Sequence, residues 1–241
     1  ANKIEGGGVL RDLSHELDII SWLLGGWKYV TAIGGHFSKL EIDSEIFDYI
    51  KSINGNVVMT SPSHERACDR AAEAMLNIEK EINAEIDVVV MVQGDEPMLT
   101  SEMISESLKP IREESSVNIV NLMSEIQTID EFEDPNEVKV VIDNFSNAIY
   151  FSREPIPSQQ KFSGSFPMLK QVCIIPFRRN YLIKFNSIPE TKLEIIESVD
   201  MMRIIENGYL MTSVPVSPSL PSVNEPEEAN IIIDYIKNNK D

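Results

Sequence analysis

The chain has 241 residues, and its 21 Lys and Arg against 39 Asp and Glu give a formal net charge of −18 (21 − 39). This balance argues against a nucleic-acid binder, which needs basic residues to meet phosphates, and against docking on an anionic membrane. Hydrophobic residues make up 42% and charged residues 25%, which is ordinary globular usage rather than that of a disordered acidic chain. The length suits one sizeable domain or two small ones. An anionic substrate would therefore need a local cluster of cations or a bound metal.

The cysteines and the apolar runs indicate a soluble, cytoplasmic protein. Cys68 and Cys173 lie far apart and neither belongs to a C-x-x-C pair, so we expect no disulfide framework and no zinc site, as in a reducing compartment. The longest apolar run near the start, at residues 19–24, is too short to span a bilayer and follows acidic residues rather than a basic signal-peptide start.

Strand and helix signals alternate in the first half of the chain. The pattern predicts a helix at 44–53, a strand at 56–60, a helix at 65–82, a strand at 86–92 and, after another helical stretch, a strand at 117–123. The β-branched run at 86–92 shows no alternation, which is typical of a strand buried on both faces in a parallel sheet. This order predicts right-handed crossovers and an α/β fold with a mostly parallel sheet sandwiched by helices.

The second half changes character. It is predicted to contain a hairpin of strands at 138–142 and 148–151, a strand at 171–175, a helix at 194–207 ended by Gly208, a strand at 210–216 and a last helix capped by Asn224. Prolines between residues 155 and 167 mark a long irregular connection, either a lid or a subdomain boundary. The fold is thus expected to carry a smaller hairpin-bearing subdomain.

The turn after the strand at 86–92 is the best candidate for chemistry. In open α/β sheets ligands bind beyond the carboxyl ends of the strands, where Gly94 would let the backbone approach a ligand closely. The carboxylate of Asp95 suits Mg²⁺, which usually takes one or two protein carboxylates together with phosphate oxygens and water. The alternative is an ordinary acidic turn that caps the next helix.

Five segments of the chain carry a resemblance to a known family. Residues 92–97 (VQGDEP) resemble the signature of the 3-deoxy-manno-octulosonate cytidylyltransferases, which make the CMP-activated sugar acid for lipopolysaccharide. Further family motifs follow in order at residues 135–141 (PNEVKVV), 150–157 (YFSREPIP), 193–197 (LEIIE) and 203–208 (RIIENG). The resemblance runs from about Ile42 to the C-terminus.

The resemblance implies an enzyme that couples CTP to a sugar acid with Mg²⁺, giving CMP-sugar and pyrophosphate. It implies a nucleotide-diphospho-sugar transferase-like fold, with a single nucleotidyltransferase domain over residues 1–241 and an inserted hairpin subregion at 135–190 that forms a homodimer. Two other interpretations stay open. One is a catalytically weakened relative that acts as a sugar-acid or nucleotide binding or partner protein. The other is transfer to a related 8-amino or nonulosonate sugar acid.

The resemblance also implies roles for single residues. Asp95 would hold Mg²⁺ and, with Arg153, serve catalysis. Gln93, Arg153, Glu194 and Glu197 would line the sugar-acid pocket, where Arg153 is the natural partner of the sugar carboxylate. The alternative for Glu194 and Glu197 is that both are exposed first-turn residues favoured by the helix dipole.

Three segments near the expected nucleotide site depart from the family pattern. Residues 6–13 (GGGVLRDL) replace the family's lysine- and arginine-bearing loop and leave Arg11 as the candidate cation, unless the segment is a flexible terminus. Residues 64–70 (HERACDR) keep His64, Asp69 and Arg70 of the usual H-x-S-G-T-D-R pattern. Residues 222–226 (SVNEP) stand where the family has G-V-D-T-P.

These departures still allow candidates for nucleotide and metal binding. Arg66, Asp69 and Arg70 open a helix, whose N-terminus favours anions, so we expect them to contact the nucleotide. Asn224 would be the second metal ligand through a neutral oxygen, with a helix cap as the alternative role. Residues 170–176 (KQVCIIP) also differ from the family's H-x-G-I-Y run, which predicts an altered sugar pocket.

Overall fold

The computed structural model describes residues 32–34, 42–64, 66–162, 164–217, 223 and 232–233. The chain divides into two compact units. The first unit comprises Ala1–Asp87, Gly94–Ser101 and Ser222–Asp241, and the second comprises Val88–Gln93 and Glu102–Pro221. The expectation of a single domain over 1–241, with a dimerisation subregion at 135–190, stays a prediction.

The first unit contains a parallel strand pair joined by a helix. Strand β1 (Ala32–Gly34) pairs in parallel with β2 (Val57–Met59), and α1 (Ile42–Ser52) connects them. The second helix, α2 (Ala67–Ile82), buries one face that begins at Cys68 and continues with small residues and Met75. These elements confirm the helices predicted at 44–53 and 65–82 and the strand at 56–60.

The second unit carries the larger sheet. Its strands are β3 (Val88–Val92), β4 (Val120–Glu125), β5 (Lys139–Ile142), β6 (Ala148–Ser152), β7 (Leu169–Val172), β8 (Ile174–Arg178) and β9 (Thr212–Pro215). Its helices are α3 (Ser101–Glu113), α4 (Ile129–Glu133), α5 (Arg179–Ser187), α6 (Lys192–Glu197) and α7 (Met202–Glu206). The first residue of α3, Ser101, still belongs to the first unit.

The five-stranded sheet is mixed. It has the order β6-β5-β7-β4-β9, in which β4 and β9 are parallel and the other pairs are antiparallel. Strands β3 and β8 form a separate two-stranded antiparallel sheet, although the apolar run of β3 predicted a parallel neighbour. The α/β class is confirmed, and a mixed sheet takes the place of the mostly parallel one. Strands β5 and β6 pair antiparallel because a short turn joins them, whereas parallel pairing requires a long crossover.

The predicted hairpin is confirmed, with its turn at Asp143. One carboxylate oxygen of Asp143 accepts hydrogen bonds of 2.8 Å from the backbone N–H groups of Phe145 and Asn147. These bonds, that from Asn147 first, lower the pKa of Asp143. A local side-chain cap of this kind explains why so short a turn could be located from sequence.

Two predicted elements are corrected. The strand expected at 171–175 is two strands separated at Cys173, so that β7 pairs with β4 while β8 pairs with β3. The single helix expected at 194–207 is two short helices, α6 and α7. The first ends because Ser198 adopts a left-handed backbone conformation with φ 53°. Gly208, with φ 73°, ends the second as predicted.

Three further observations complete the fold. Helix α5 was not predicted. The helix expected from Asn224 onward lies largely outside the described residues. Within that stretch, residues 232 and 233 are described and are helical. No helix in the described part of the chain combines the length and apolar character that crossing a membrane requires.

Candidate functional site

The predicted site residues fall into two groups. Arg66, Asp69, Arg70 and Asp95 belong to the first unit, whereas Gln93, Arg153, Glu194 and Glu197 belong to the second. Arg11 and Asn224 lie outside the described residues. Each group is therefore a candidate site in its own right.

The beginning of α2 brings the first three residues of the first group together. Arg66 occupies the N-cap position with an extended backbone (φ −114°, ψ 147°), and Asp69 lies in the first turn. Both are half-buried, whereas Arg70 is only 3% exposed. The segment opens a helix as predicted, but the two arginines differ in their access to solvent.

Arg70 holds the loop that precedes α2. Its guanidinium donates to the hydroxyl of Thr60 (3.4 Å) and to the carbonyl oxygens of Ser61 (3.3 Å) and His64 (2.7 Å). This cation therefore shapes the loop from the inside. Its predicted contact with a nucleotide stays a prediction, and half-buried Arg66 is the better placed of the two.

Glu73 ties the same loop to α2. Its carboxylate accepts from the backbone N–H of Ser61 (2.9 Å) and bonds to the ring Nε2 of His64. The hydrogen bond from Ser61, followed by that with His64, lowers the pKa of Glu73. Glu73 was not recognised from sequence, although it lies two turns along the helix from the predicted Arg66. In this structure His64 therefore helps to hold the loop before α2, through its bonds to Glu73 and Arg70.

Asp95 lies in the turn that follows β3. It is half-buried, and its backbone carbonyl accepts a hydrogen bond of 2.9 Å from the N–H of Val223. Val223 directly precedes Asn224 in the chain. The two segments that sequence patterns had linked to the metal, around residues 95 and 223, are thus joined by a backbone hydrogen bond within the first unit.

In the second unit, Glu197 is the centre of a hydrogen-bond network. Its carboxylate accepts from the hydroxyls of Tyr150 (3.1 Å) and Ser152 (3.0 and 3.1 Å) and from the backbone N–H of Arg153 (3.0 Å). Burial first, and then the Glu197 carboxylate, raises the pKa of Tyr150, so its hydroxyl stays a donor. Glu197 therefore fixes Ser152, the last residue of β6, and the backbone of Arg153 that follows it.

The Arg153 side chain is clamped by backbone carbonyls. Its Nε donates to the carbonyl of Glu197 (2.8 Å), Nη1 to that of Pro135 (2.9 Å) and Nη2 to that of Ser198 (3.3 Å). In the described ranges, no carboxylate forms an ion pair with this guanidinium. Three of its five N–H groups are used. The guanidinium is thus held in place by three neutral acceptors.

Glu194 lies in the core rather than at the surface. It is 0% exposed, and both carboxylate oxygens bond to Arg203, one of them at 2.8 Å from Nε. The backbone N–H of Thr191 donates to the same carboxylate (3.1 Å). The alternative that Glu194 is an exposed first-turn residue is wrong because its side chain is fully buried. The bonded Arg203 compensates for the burial of its charge. Its predicted contact with the sugar acid stays a prediction.

Gln93 lies at the end of β3, next to the break between β7 and β8. Its backbone N–H donates to the carbonyl of Cys173 (3.2 Å), and its side chain is half-buried. The segment that departs from the family pattern contains Gln171, whose amide donates to the side chain of Asn121 (2.9 Å) inside the sheet. Neither Asn121 nor the two hydroxyl partners of Glu197, Tyr150 and Ser152, were recognised from sequence as site residues. Both hydroxyl residues lie in the motif at residues 150–157, which is the sequence signal that could have identified them.

Comparisons with known proteins address the same segments. The cytidylyltransferase family model matches residues 42–213. A 3-deoxy-manno-octulosonate cytidylyltransferase of Fusobacterium nucleatum is 32% identical over 216 residues, covering 88% of this chain and 86% of the relative. One from Geobacter sulfurreducens is 35% identical over 205 residues, covering 81% and 80%. The chain belongs to the cytidylyltransferase family.

Solved structures agree with this assignment. A CMP:2-keto-3-deoxy-manno-octonic acid synthetase complexed with CTP superposes with a TM-score of 0.79 at 25% identity, covering 94% of this chain and 88% of that one. A cytidylyltransferase from Leptospira borgpetersenii gives a TM-score of 0.52 at 14% identity and covers 95% and 83%, which supports the fold alone. This cytidylyltransferase is therefore an α/β nucleotidyltransferase.

The Glu73 contacts generate a prediction about pH. Because the folded pKa of Glu73 lies below its ordinary 4.5, its contribution to stability is present above that pH and is lost as pH falls through the folded pKa. Glu73→Gln should therefore be less stable than the wild type at neutral pH, and the difference should shrink below pH 4.5. Urea unfolding at a series of pH values measures it.

Glu81→Gln, an exposed residue of the same helix, is the matched control for the loss of one carboxylate. A difference between wild type and Glu73→Gln that stays constant across the acid range would contradict the assigned role of Glu73.

Glu194→Ala generates a prediction about stability. The substitution leaves the Arg203 guanidinium, 4% exposed, without its carboxylate partner. Removing one member of a buried ion pair costs about 3–5 kcal/mol, so the free energy of unfolding should fall by about that amount. Urea denaturation followed by circular dichroism measures it. Glu190→Ala, at an exposed position before α6, is the control. A loss below about 1 kcal/mol would be typical of a surface site and would contradict the burial.

Proposed function

We propose that this cytidylyltransferase couples CTP to a 3-deoxy-octulosonate-type sugar acid and releases pyrophosphate. The relatives that carry this activity in their names support the proposal, as does the likeness to a synthetase complexed with CTP. In the reaction, the anomeric hydroxyl oxygen attacks the α-phosphorus and loses its proton. The bond between the α-phosphorus and the oxygen that bridges to the β-phosphate breaks, and pyrophosphate leaves.

Arg153 is the observation that carries the sugar-acid half of the proposal. Its guanidinium is held by the carbonyls of Pro135, Glu197 and Ser198 and has N–H groups beyond those three bonds. A carboxylate is the natural partner of a planar guanidinium. A fixed cation of this kind can orient the sugar acid before reaction, and orientation is a large part of catalysis in phosphoryl-type transfers.

Asp95 is proposed to hold Mg²⁺. Its carboxylate is the hard-oxygen ligand that Mg²⁺ prefers, and it lies half-buried in a turn rather than in the core. The described residues contain no cluster of three or more metal-ligating side chains, which fits an ion that takes one or two carboxylates and completes its shell with phosphate and water. Asn224 is the proposed second ligand. The ion would neutralise phosphate charge.

Arg66, Asp69, Arg70 and Arg11 are the proposed nucleotide contacts. Arg66 at the N-cap of α2 combines a guanidinium with the backbone N–H groups of a helix start, both of which favour an anion. Arg70 would act mainly by holding the loop at residues 61–64. Gln93, Glu194 and Glu197 complete the sugar-acid side, Glu197 through the residues that it fixes.

The assembly and location of the enzyme are also proposed. We infer a homodimer formed through residues 135–190, which rests on the resemblance to the family, and a cytoplasmic location, which rests on the cysteine usage of the sequence.

The reaction can be tested directly. With CTP, Mg²⁺ and 3-deoxy-manno-octulosonate, the protein should release pyrophosphate in step with CMP-sugar formation, measured by a coupled phosphate assay and by chromatography. The 8-amino analogue and a nonulosonate are run beside it, because residues 170–176 differ from the family pattern. Sugar-acid binding without turnover on any of the three would indicate a weakened relative and would overturn the proposal.

The role of Asp95 has its own test. Asp95→Asn removes the charge while keeping the shape of the side chain, so turnover should fall by orders of magnitude while the melting temperature stays nearly unchanged. Turnover is measured across a Mg²⁺ titration. Asp87→Asn, the same substitution at an exposed position just before β3, is the matched control. Equal losses of folding and activity in Asp95→Asn would instead indicate a structural turn.

A further inference from the structure

Lys139 is a fully buried charge next to the candidate sugar-acid residues. It lies in β5 opposite Ser152 of β6 and is 0% exposed. Its ammonium group donates to the carbonyl oxygens of Asp134 (2.7 Å), Glu137 (2.7 Å) and Arg153 (2.6 Å). An ammonium group has three N–H donors, so these acceptors satisfy all of them.

These contacts join Lys139 to Arg153 by two routes. The direct route is the bond to the backbone carbonyl of Arg153. The second runs through the loop before β5, where Lys139 binds the carbonyls of Asp134 and Glu137, because the carbonyl of Pro135 in that loop accepts from Nη1 of Arg153. One ammonium group thus fixes both the backbone of Arg153 and one acceptor of its side chain.

We propose that Lys139 is a positioning residue for sugar-acid binding and acts through Arg153. The inference rests on the proposed function, in which Arg153 meets the carboxylate of the sugar acid. Lys139 itself is fully buried, and its three donors are bonded to backbone carbonyls, so its role would be to position Arg153 rather than to bind the substrate.

A charge at this position needs a reason other than packing. Burial lowers the pKa of Lys139, although the nearby carboxylates of Asp134 and Glu137 oppose the shift. An apolar residue of similar volume avoids that desolvation, but it cannot donate three hydrogen bonds to buried carbonyls. The ammonium group is therefore retained for the geometry that it imposes on the three carbonyls.

The neighbouring Lys170 shows the contrasting arrangement. It is the cross-strand partner of Lys139 in β7 and is 3% exposed, but it pairs with the carboxylates of Glu131 (2.8 Å) and Glu137 (3.1 Å). Burial alone would lower the pKa of Lys170, yet the charges of Glu137 and Glu131 outweigh it and raise the pKa. The ion pairs of Lys170 are with side chains. The hydrogen bonds of Lys139 go to backbone carbonyls, one of which belongs to Arg153.

The test is a double-mutant cycle of Lys139→Met and Arg153→Met, with KM for the sugar acid, KM for CTP and kcat measured for each protein. Lys139→Met should raise KM for the sugar acid about 10- to 100-fold, since small misplacements of a binding group cost that much, and should leave KM for CTP unchanged. In the Arg153→Met background it should add little, because the residue through which it acts is gone.

Two controls separate positioning from a general loss of stability. Leu182→Ala removes a fully buried side chain from α5 and should lower the melting temperature without raising KM for the sugar acid. Lys139→Gln, which keeps two N–H donors, should give a KM between those of the wild type and Lys139→Met. It also provides the measurement if the methionine variant does not fold.

Three results would overturn the inference. They are an unchanged KM for the sugar acid in both Lys139 variants, an equal rise in KM for CTP, or effects of Lys139→Met and Arg153→Met that multiply independently. The failure of the proposed function is seen elsewhere, in a wild-type protein without turnover or in an Arg153→Met variant with the wild-type KM.

Discussion

The candidate sugar-acid site depends on how the short helix α6 is held in place. A helix of six residues is not stable alone in water, so its position must come from contacts made by other segments. Glu206 of α7 accepts from the N–H of Leu193 at its start (2.9 Å), Arg203 pairs with Glu194 in its interior, and Arg153 donates to the carbonyl of Glu197 at its end.

These three contacts connect the motifs that resemble the family pattern. The LEIIE segment forms α6, the RIIENG segment supplies the arginine and glutamate that hold it, and the YFSREPIP segment supplies the arginine at its end. The spacing of the motifs thus follows from a single packing arrangement. The buried Glu194 holds α6 in place through its bond to Arg203. Glu197, one turn later, contacts Ser152 at the end of β6.

The fold was predictable where local signals and packing agree. The helix–strand–helix order α1–β2–α2 of the first unit and the β5–β6 hairpin follow from periodicity and a turn residue with its own cap, whereas β1 was not predicted. The sequence could not show that residues 194–207 break at Ser198, where a left-handed backbone accompanies a hydrogen bond from the distant Arg153 to the Ser198 carbonyl. The β-branched run of β3 also misled, since such a run reports burial and not the direction of the neighbouring strand.

The residues of the candidate site are predictions from the resemblance, and their contacts could not be predicted from the sequence. Resemblance identified Arg153, Glu194 and Glu197 as members of one region. The structure places Arg153 and Glu197 in one hydrogen-bond network, whereas Glu194 of the same helix α6 bonds to Arg203. Resemblance could not show which carboxylate meets which cation. Glu194 and Arg203 are nine residues apart in a chain with an excess of carboxylates, so sequence offers several equivalent partners.

The net charge of −18 becomes consistent with an anionic substrate once the partners of each cation are considered. Arg203 and Lys170 are paired with carboxylates and add little positive potential around them. Arg153 and Lys139 are held by carbonyl oxygens, which orient a cation without cancelling its charge. A carboxylate clamp would fix Arg153 equally well, but it would neutralise the charge that a sugar carboxylate needs. Because its acceptors are neutral, Arg153 can contribute a local positive charge to anion binding in a strongly acidic chain.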